Sequence, residues 1–413
     1  MIPEERIDPA LKKIEKLLAE QCIHGAQTRD MGPNMAACGQ FIGPAAKNLT
    51  QHGLYGTAAA LRVLAQGTSA DATKVVPRLV SHLQELEERN LPIKKRSKAP
   101  TTSVDVLNVI KLSEVLYALS FVQASQCHTD TLVSAIAGKL LKARREEKGW
   151  THFLDTASPV DVLPTAFAVL ALSRHGQAYE QQIQKQIDYL ESNVVAVDGS
   201  RSLSINDNSV KIFCLFALVF RKDEIPQEEV KRLKPVFVGL WKAHQGLFDQ
   251  NVEQNIQYSR GPENYYIRIP WQLYLLALAA RLDPHRISSF AARRRLNQIL
   301  DAVMGDGFLY PYSGSSLSSR TNAIVFDVLH KVKRFNKRNL VHSIYYGYDV
   351  VQTFFSRPIF SCISLTLFLG FAAYCVCAWM AKEGKPEDVG PDLTGAMIGI
   401  GVAFFLERLR KSR

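Results

Sequence analysis

Two stretches concentrate the side chains able to bind a polar ligand: SRGPENYYIRIPW (259–271) and GFLYPYSGSSLSSRTN (307–322). Arg260, Arg268 and Arg320 offer guanidinium forks that suit phosphate or carboxylate. Tyr266, Tyr310, Ser319, Thr321 and Asn322 add hydroxyl and amide donors beside them. Each stretch reads as a loop leading into an apolar helix, and a helix N-terminus also attracts anions. These eight are the candidate ligand-binding residues. The one catalytic candidate is Asp161, in Asp161-Val-Leu-Pro-Thr-Ala166. Its competing reading is a helix N-cap, since a carboxylate there accepts from the first-turn amides. Asp105, Glu114 and Asp207 are further carboxylates, but no spacing selects a catalytic pair. The chain has no DDxxD, HExxH, GxSxG, P-loop or GxGxxG motif. Cys127 and His128 are adjacent, and neighbouring residues rarely face one metal. No metal and no cofactor is expected, and His152, His175 and His330 read as structural.

Helical periodicity dominates the elements around these residues, and no alternating run marks a strand. Asp8-Pro9 reads as the cap of an opening helix with Leu11, Ile14, Leu17 and Leu18 on one face. Six segments are apolar nearly all round: 56–65, 112–121, 164–173, 208–217, 269–278 and 320–329. Amphipathic segments separate them, with stripes such as Leu79-Leu83-Leu86, Tyr179-Ile183-Ile187-Leu190 and Val230-Leu233-Phe237-Leu240. A helix apolar on every side is buried, and a striped one covers a core. Six repeats of this kind read as six inner and six outer helices closed into a ring. Gly53-Leu-Tyr55, Gly149-Trp150, Gly246-Leu-Phe248 and Gly307-Phe308 mark junctions. There a glycine ends a helix in a left-handed cap and an aromatic wedges between pairs.

On these repeats, over residues 50–335, the chain resembles the α/α-toroid superfamily of terpenoid cyclases and protein prenyltransferase β subunits. The resemblance implies an all-α, (α/α)6 toroid with an apolar central cavity suited to an isoprenoid. Its catalytic motifs are not matched. The cyclase acid motif has a proton-donating Asp where this chain has Leu163, and the prenyltransferase Asp-x-Cys fails at Cys214, which follows Lys211-Ile-Phe213. A hydrophobic side chain donates no proton.

The chain has a net charge of +11, 47% hydrophobic residues and seven cysteines. This composition excludes a long disordered chain and a small disulfide scaffold. No basic module with interleaved aromatics points to nucleic acid, and the thiols read as free in a reducing compartment. Pro358–Met380 is uncharged and long enough to span a bilayer. Leu393–Leu406 is shorter, about 21 Å as a helix, and either crosses or lies at the surface. Gly395 and Gly399 give it a small-xxx-small packing face. Basic residues before 358 and after 406 place both flanks on the cytoplasmic side and against anionic lipid headgroups. The opening MIPEERIDPALKK has no apolar core, so no signal peptide is expected.

The expected organisation is a lead-in (1–50), the helical ring (51–335), a basic linker (336–357), a membrane hairpin (358–406) and a basic tail (407–413). The expected function is a membrane-anchored ligand- or partner-binding module on the inner membrane, assembling through its membrane helices. The alternative is a tethered isoprenoid-modifying enzyme.

Overall fold

The computed structural model describes residues 4–25, 31–39, 41–42, 54–88, 108–145, 149–152, 154, 160–195, 205–244, 254–260, 263–306 and 317–335. The chain divides into two compact units, Met1–Asn339 and Leu340–Arg413. The described residues all belong to the first. The apolar segments 358–380 and 393–406, with Gly395 and Gly399, lie outside the described residues. Among the described residues no helix is long and apolar enough to cross a membrane.

The described part is mostly helical. The six apolar segments form α2 (Leu54–Leu64), α4 (Val109–Leu119), α6 (Val162–Ser173), α9 (Ile205–Phe220), α11 (Trp271–Leu282) and α13 (Ser319–Phe335). Each packs on the next: α2 on α4, α4 on α6, α6 on α9, α9 on α11, α11 on α13, and α13 back on α2. Amphipathic helices lie against them: α3 (Ala70–Glu88), α5 (Asp130–Ala143), α7 (Gln177–Gln182), α8 (Gln184–Val195) and α10 (Gln227–His244). α12 (Phe290–Asp306) packs on α1 (Glu4–Glu20), which itself touches α2, α3 and α13.

The burial follows from the side chains. In α6 every residue from Leu163 to Ser173 is buried, as an all-round apolar helix requires. In α1 the buried residues Ile7, Ala10, Leu11, Ile14 and Leu18 form one stripe. The start of α1 differs from the expected cap at Asp8-Pro9. The helix begins at Glu4 with Pro9 inside it, and Asp8 pairs instead with Lys333 of α13 at 2.7 Å. Burial of Ile7 and Ala10 outweighs the hydrogen bond that the proline removes.

The Gly149-Trp150 junction works as a wedge. Gly149 has φ +127°, and a Cβ there would stand 2.3 Å from Thr165 Oγ1. Trp150 is fully buried, with its indole N–H donating to the Leu140 carbonyl at 2.7 Å.

Strands are a correction to the sequence reading. Short antiparallel pairs join β1 (Ile23–His24) to β2 (Ala36–Ala37) and β3 (Phe41–Ile42) to β6 (Leu317–Ser318). A longer hairpin joins β4 (Gln254–Arg260) to β5 (Glu263–Ile269). Its register sets Asn255 opposite Arg268 and Gln257 opposite Tyr266. The stretch 259–271 therefore enters α11 largely as a strand. The residues Ile256, Tyr258, Tyr265, Tyr266, Ile267 and Ile269 carry the β preference that helical periodicity hides.

Candidate ligand site

The N-terminal ends of the inner helices are held together by polar side chains bonded to the backbone of the junctions. Thr165 Oγ1 accepts from the Trp150 amide at 3.0 Å and donates to the Asp161 carbonyl at 2.7 Å. Thr57 Oγ1 accepts from the Cys38 amide at 3.3 Å. Asn108 Oδ1 caps α4 through the Lys111 amide at 2.8 Å. Asp161 caps α6, accepting from the Leu163 amide at 2.9 Å in extended geometry, which is the capping alternative to a catalytic role.

The expected ligand residues divide into four groups. Ser319, Thr321 and Asn322 are buried, and Asn322 Nδ2 donates to the Ser318 carbonyl at 2.9 Å. Arg320 is ion-paired with Glu114 of α4 at 2.9 Å and lies over the Phe167 ring at 5.7 Å. Burial alone would lower the Arg320 pKa, but the Glu114 carboxylate more than reverses this. Arg260, Tyr266 and Arg268 are placed by backbone alone on the β4–β5 hairpin. Tyr310, Asp105 and Asp207 fall outside the described side chains.

Among the described residues, aromatic rings pack closely between the inner helices. Phe167 and Phe213 sit 4.1 Å apart between ring centres, Phe213 and Tyr274 5.0 Å, and Phe216 and Tyr274 4.5 Å. The gap lined by Arg62, Ser113, Glu114, Tyr117 and these aromatics is about 10 Å³. That is about the space one water needs. An isoprenoid has no room there without repacking. Cys214 is buried on α9, and its thiol pKa is pushed up by burial. No group of three or more metal-ligating side chains occurs among the described residues.

The opposite, C-terminal ends of the inner helices meet at a different surface. A cavity of about 80 Å³ is lined by Gln66, Tyr117, Phe121, Arg174, Phe220, Lys222, Asp223, Arg281, His330, Lys331 and Arg334. Five of these are Lys or Arg and one is a carboxylate. Asp223 takes Arg174 at 2.7 Å and Arg334 at 3.6 Å. The Arg174 Nε is buried with no hydrogen-bond partner among the described residues. Aromatic faces support the cations: Arg174 lies 5.6 Å over Phe121, Arg281 5.1 Å and Lys331 5.0 Å over Phe220.

Beneath the cavity a buried ion pair joins α2 to α13. Arg62 donates to Asp327 through Nε at 2.8 Å and through Nη2, and Gln66 Nε2 donates to the other oxygen at 3.1 Å. Burial alone would raise the Asp327 pKa; Arg62 and Lys331 hold it well below the usual carboxylate range. Lys331 lies 3.4 Å from Asp327. Its pKa is pushed down to about 8, first by burial and then by Arg62 and Arg174, against the pull of Asp327. Arg281 is lowered to about 10 by burial and by Arg334.

Lys331 and Arg334, among the basic residues that precede the apolar segment 358–380, lie in the last turns of α13. The signal that could have found this cavity was a cation soon after four of the six apolar runs: Arg174, Lys222, Arg281 and Lys331. No protein-family model matches the chain, and no curated protein matches it in sequence.

Proposed function

We propose that the chain is a membrane-anchored (α/α)6 toroid that binds a small anionic ligand at the C-terminal mouth of its inner helices. The observation that carries this reading is the charge of that mouth: five Lys or Arg line it with Asp223, and they still outnumber the carboxylates they meet once Glu180 on Lys222 and Asp327 on Lys331 are counted. That positive excess can be met by an anion, whereas Arg320 at the other end is matched one to one by Glu114. The closed sequence of neighbours from α2 round to α13 supports the toroid. Oxyanions suit guanidinium and ammonium donors held on aromatic faces in a partly dry site.

The hairpin 358–406 anchors the domain on the cytoplasmic face of the inner membrane, and Gly395 and Gly399 pack it into a homo-oligomer. α13 is the element that links the two functions. It carries His330, Lys331 and Arg334 of the cavity and is the last described helix before the apolar segment. Ligand occupancy biases α13, and the hairpin answers by assembling or by perturbing the bilayer. The close aromatic packing of Phe167, Phe213, Phe216 and Tyr274 counts against an isoprenoid at that point between the inner helices.

Calorimetric titration of the detergent-solubilised chain with inorganic phosphate and pyrophosphate tests the site. Saturable binding that weakens about tenfold in Lys331→Met, a change of about 1.4 kcal/mol, is the expected result. No binding of either anion, or equal binding by Lys331→Met and Arg174→Ala, removes the site. Gly399→Leu is expected to abolish assembly while leaving anion affinity intact; unchanged assembly removes the hairpin role.

A further inference from the structure

Cys22 follows α1 and Cys38 precedes α2, so sequence alone sets them far from any shared role. The β1–β2 register pairs Ile23 with Ala37 and His24 with Ala36. One step outward sets Cys22 opposite Cys38. The hydrogen-bond alternation fixes what kind of pair this is. The Gly25 amide donates to the Met35 carbonyl at 2.8 Å, so that pair is hydrogen-bonded. Alternation then makes 24/36 non-bonded, 23/37 bonded and 22/38 non-bonded. The amides agree: Cys22 N–H donates to the Ala19 carbonyl at 3.2 Å and Cys38 N–H to Thr57 Oγ1 at 3.3 Å, not to each other. Non-bonded antiparallel pairs hold their Cα atoms about 4.5 Å apart. Disulfides accept Cα separations of about 4.4–6.8 Å. Both thiols are buried, the Cys22 thiol donates to the Leu18 carbonyl at 3.3 Å, and Cys38 lies close enough to raise the Cys22 pKa.

We infer that Cys22 and Cys38 form a redox-reversible dithiol that closes to an intramolecular disulfide when a small-molecule disulfide such as oxidised glutathione is supplied. One Cys thiolate attacks the oxidant's S–S bond, forming a mixed disulfide and releasing the first glutathione thiolate. The second Cys thiolate attacks the protein sulfur of that mixed disulfide, forming the Cys22–Cys38 bond and releasing the second glutathione thiolate. Two electrons pass to the oxidant, and the two protons lost by the protein thiols end on the two glutathiones. The attacking species is the thiolate. The neighbouring Cys38 side chain and burial push the Cys22 thiol pKa up, so closure is slow at neutral pH and quickens as pH rises. The bond ties the end of α1 to the start of α2. Cys38 already presses on α2 there, its carbonyl 2.2 Å from where a Cβ on Gly56 would stand.

The test uses the full chain in detergent, equilibrated with oxidised glutathione, then alkylated under denaturing conditions and digested with trypsin. Arg29 lies between the two cysteines, with Lys16 and Lys47 outside them, so each falls in its own peptide. The expected result is peptide 17–29 joined to peptide 30–47, separated again by reduction. The oxidised chain is expected to melt about 5 °C higher, because the bond constrains the unfolded chain. Full alkylation of both cysteines, glutathione left on either one without the cross-link, or linkage to Cys127 or Cys214 would each overturn the inference. Because the assignment is read from the wild-type chain, it does not depend on whether Cys22→Ser or Cys38→Ser folds.

Discussion

The two ends of the inner helices use similar residues for opposite purposes. At the N-terminal ends, polar groups are matched: Arg320 with Glu114, Thr165 with the Trp150 amide, Asp161 with the amide of its own helix. At the C-terminal ends, five cations outnumber the carboxylates they meet, Asp223, Glu180 and Asp327, and two of them are lowered in pKa by burial and by neighbouring cations. Satisfied polar groups hold a fold together, while like charges crowded in a cavity work against it and are retained for what they bind. Substitutions at the first end should therefore cost stability, and substitutions at the second should cost binding.

The largest effect is expected from Arg320→Met. It leaves the Glu114 carboxylate buried without its partner, which costs about 3–5 kcal/mol. Chemical denaturation should show this loss, and the double variant Glu114→Gln/Arg320→Met should recover most of it. Anion affinity of that double variant should match wild type. A drop in affinity with intact stability would reverse the assignment of the two ends.

Gly149→Ala comes next. A Cβ at φ +127° is strained, and it meets Thr165 Oγ1 at 2.3 Å. The expected loss is about 2–3 kcal/mol, read as a lowered denaturation midpoint with an unchanged slope. Thr165→Val should cost about 1–3 kcal/mol, since it leaves the buried Trp150 amide without an acceptor. If both variants are neutral, the junctions do not clamp this end.

How much of this was legible in the sequence depends on the range of the interaction. The six buried helices were readable because an all-round apolar run has few other solutions, and residues such as Leu163 to Ser173 are buried along their whole length. Asp161 was readable as a cap because capping is decided within three residues. The β4–β5 hairpin was missed because its strands mix Gln, Asn and Arg with Ile and Tyr, which blurs the alternation. The pairing of Arg320 with Glu114 joins residues two hundred positions apart, and no local pattern encodes it. The cationic cavity was spelled out as a basic residue after four of the six apolar runs, yet it takes the return of α13 to α2 to bring those residues together. Without that closure Lys331 reads as a membrane flank.

The smallest expected effect is the sharpest test of the contrast, because stability and binding should move in opposite directions. Lys331 titrates at about 8 in the folded chain against 10.5 ordinarily. Between those values the unfolded chain binds more protons, so stability rises with pH across that window and loses this gain as pH falls back through 8. Over the same window the cavity loses a positive charge, so anion affinity should fall as pH passes 8. Lys331→Met should flatten both curves and should itself leave stability unchanged or raised by up to about 1 kcal/mol, because Asp327 keeps Arg62 and Gln66. Parallel denaturation and phosphate titrations at successive pH values decide the matter. If affinity and stability fall together above pH 8, Lys331 serves the fold, and the C-terminal mouth is built on the same plan as the other end.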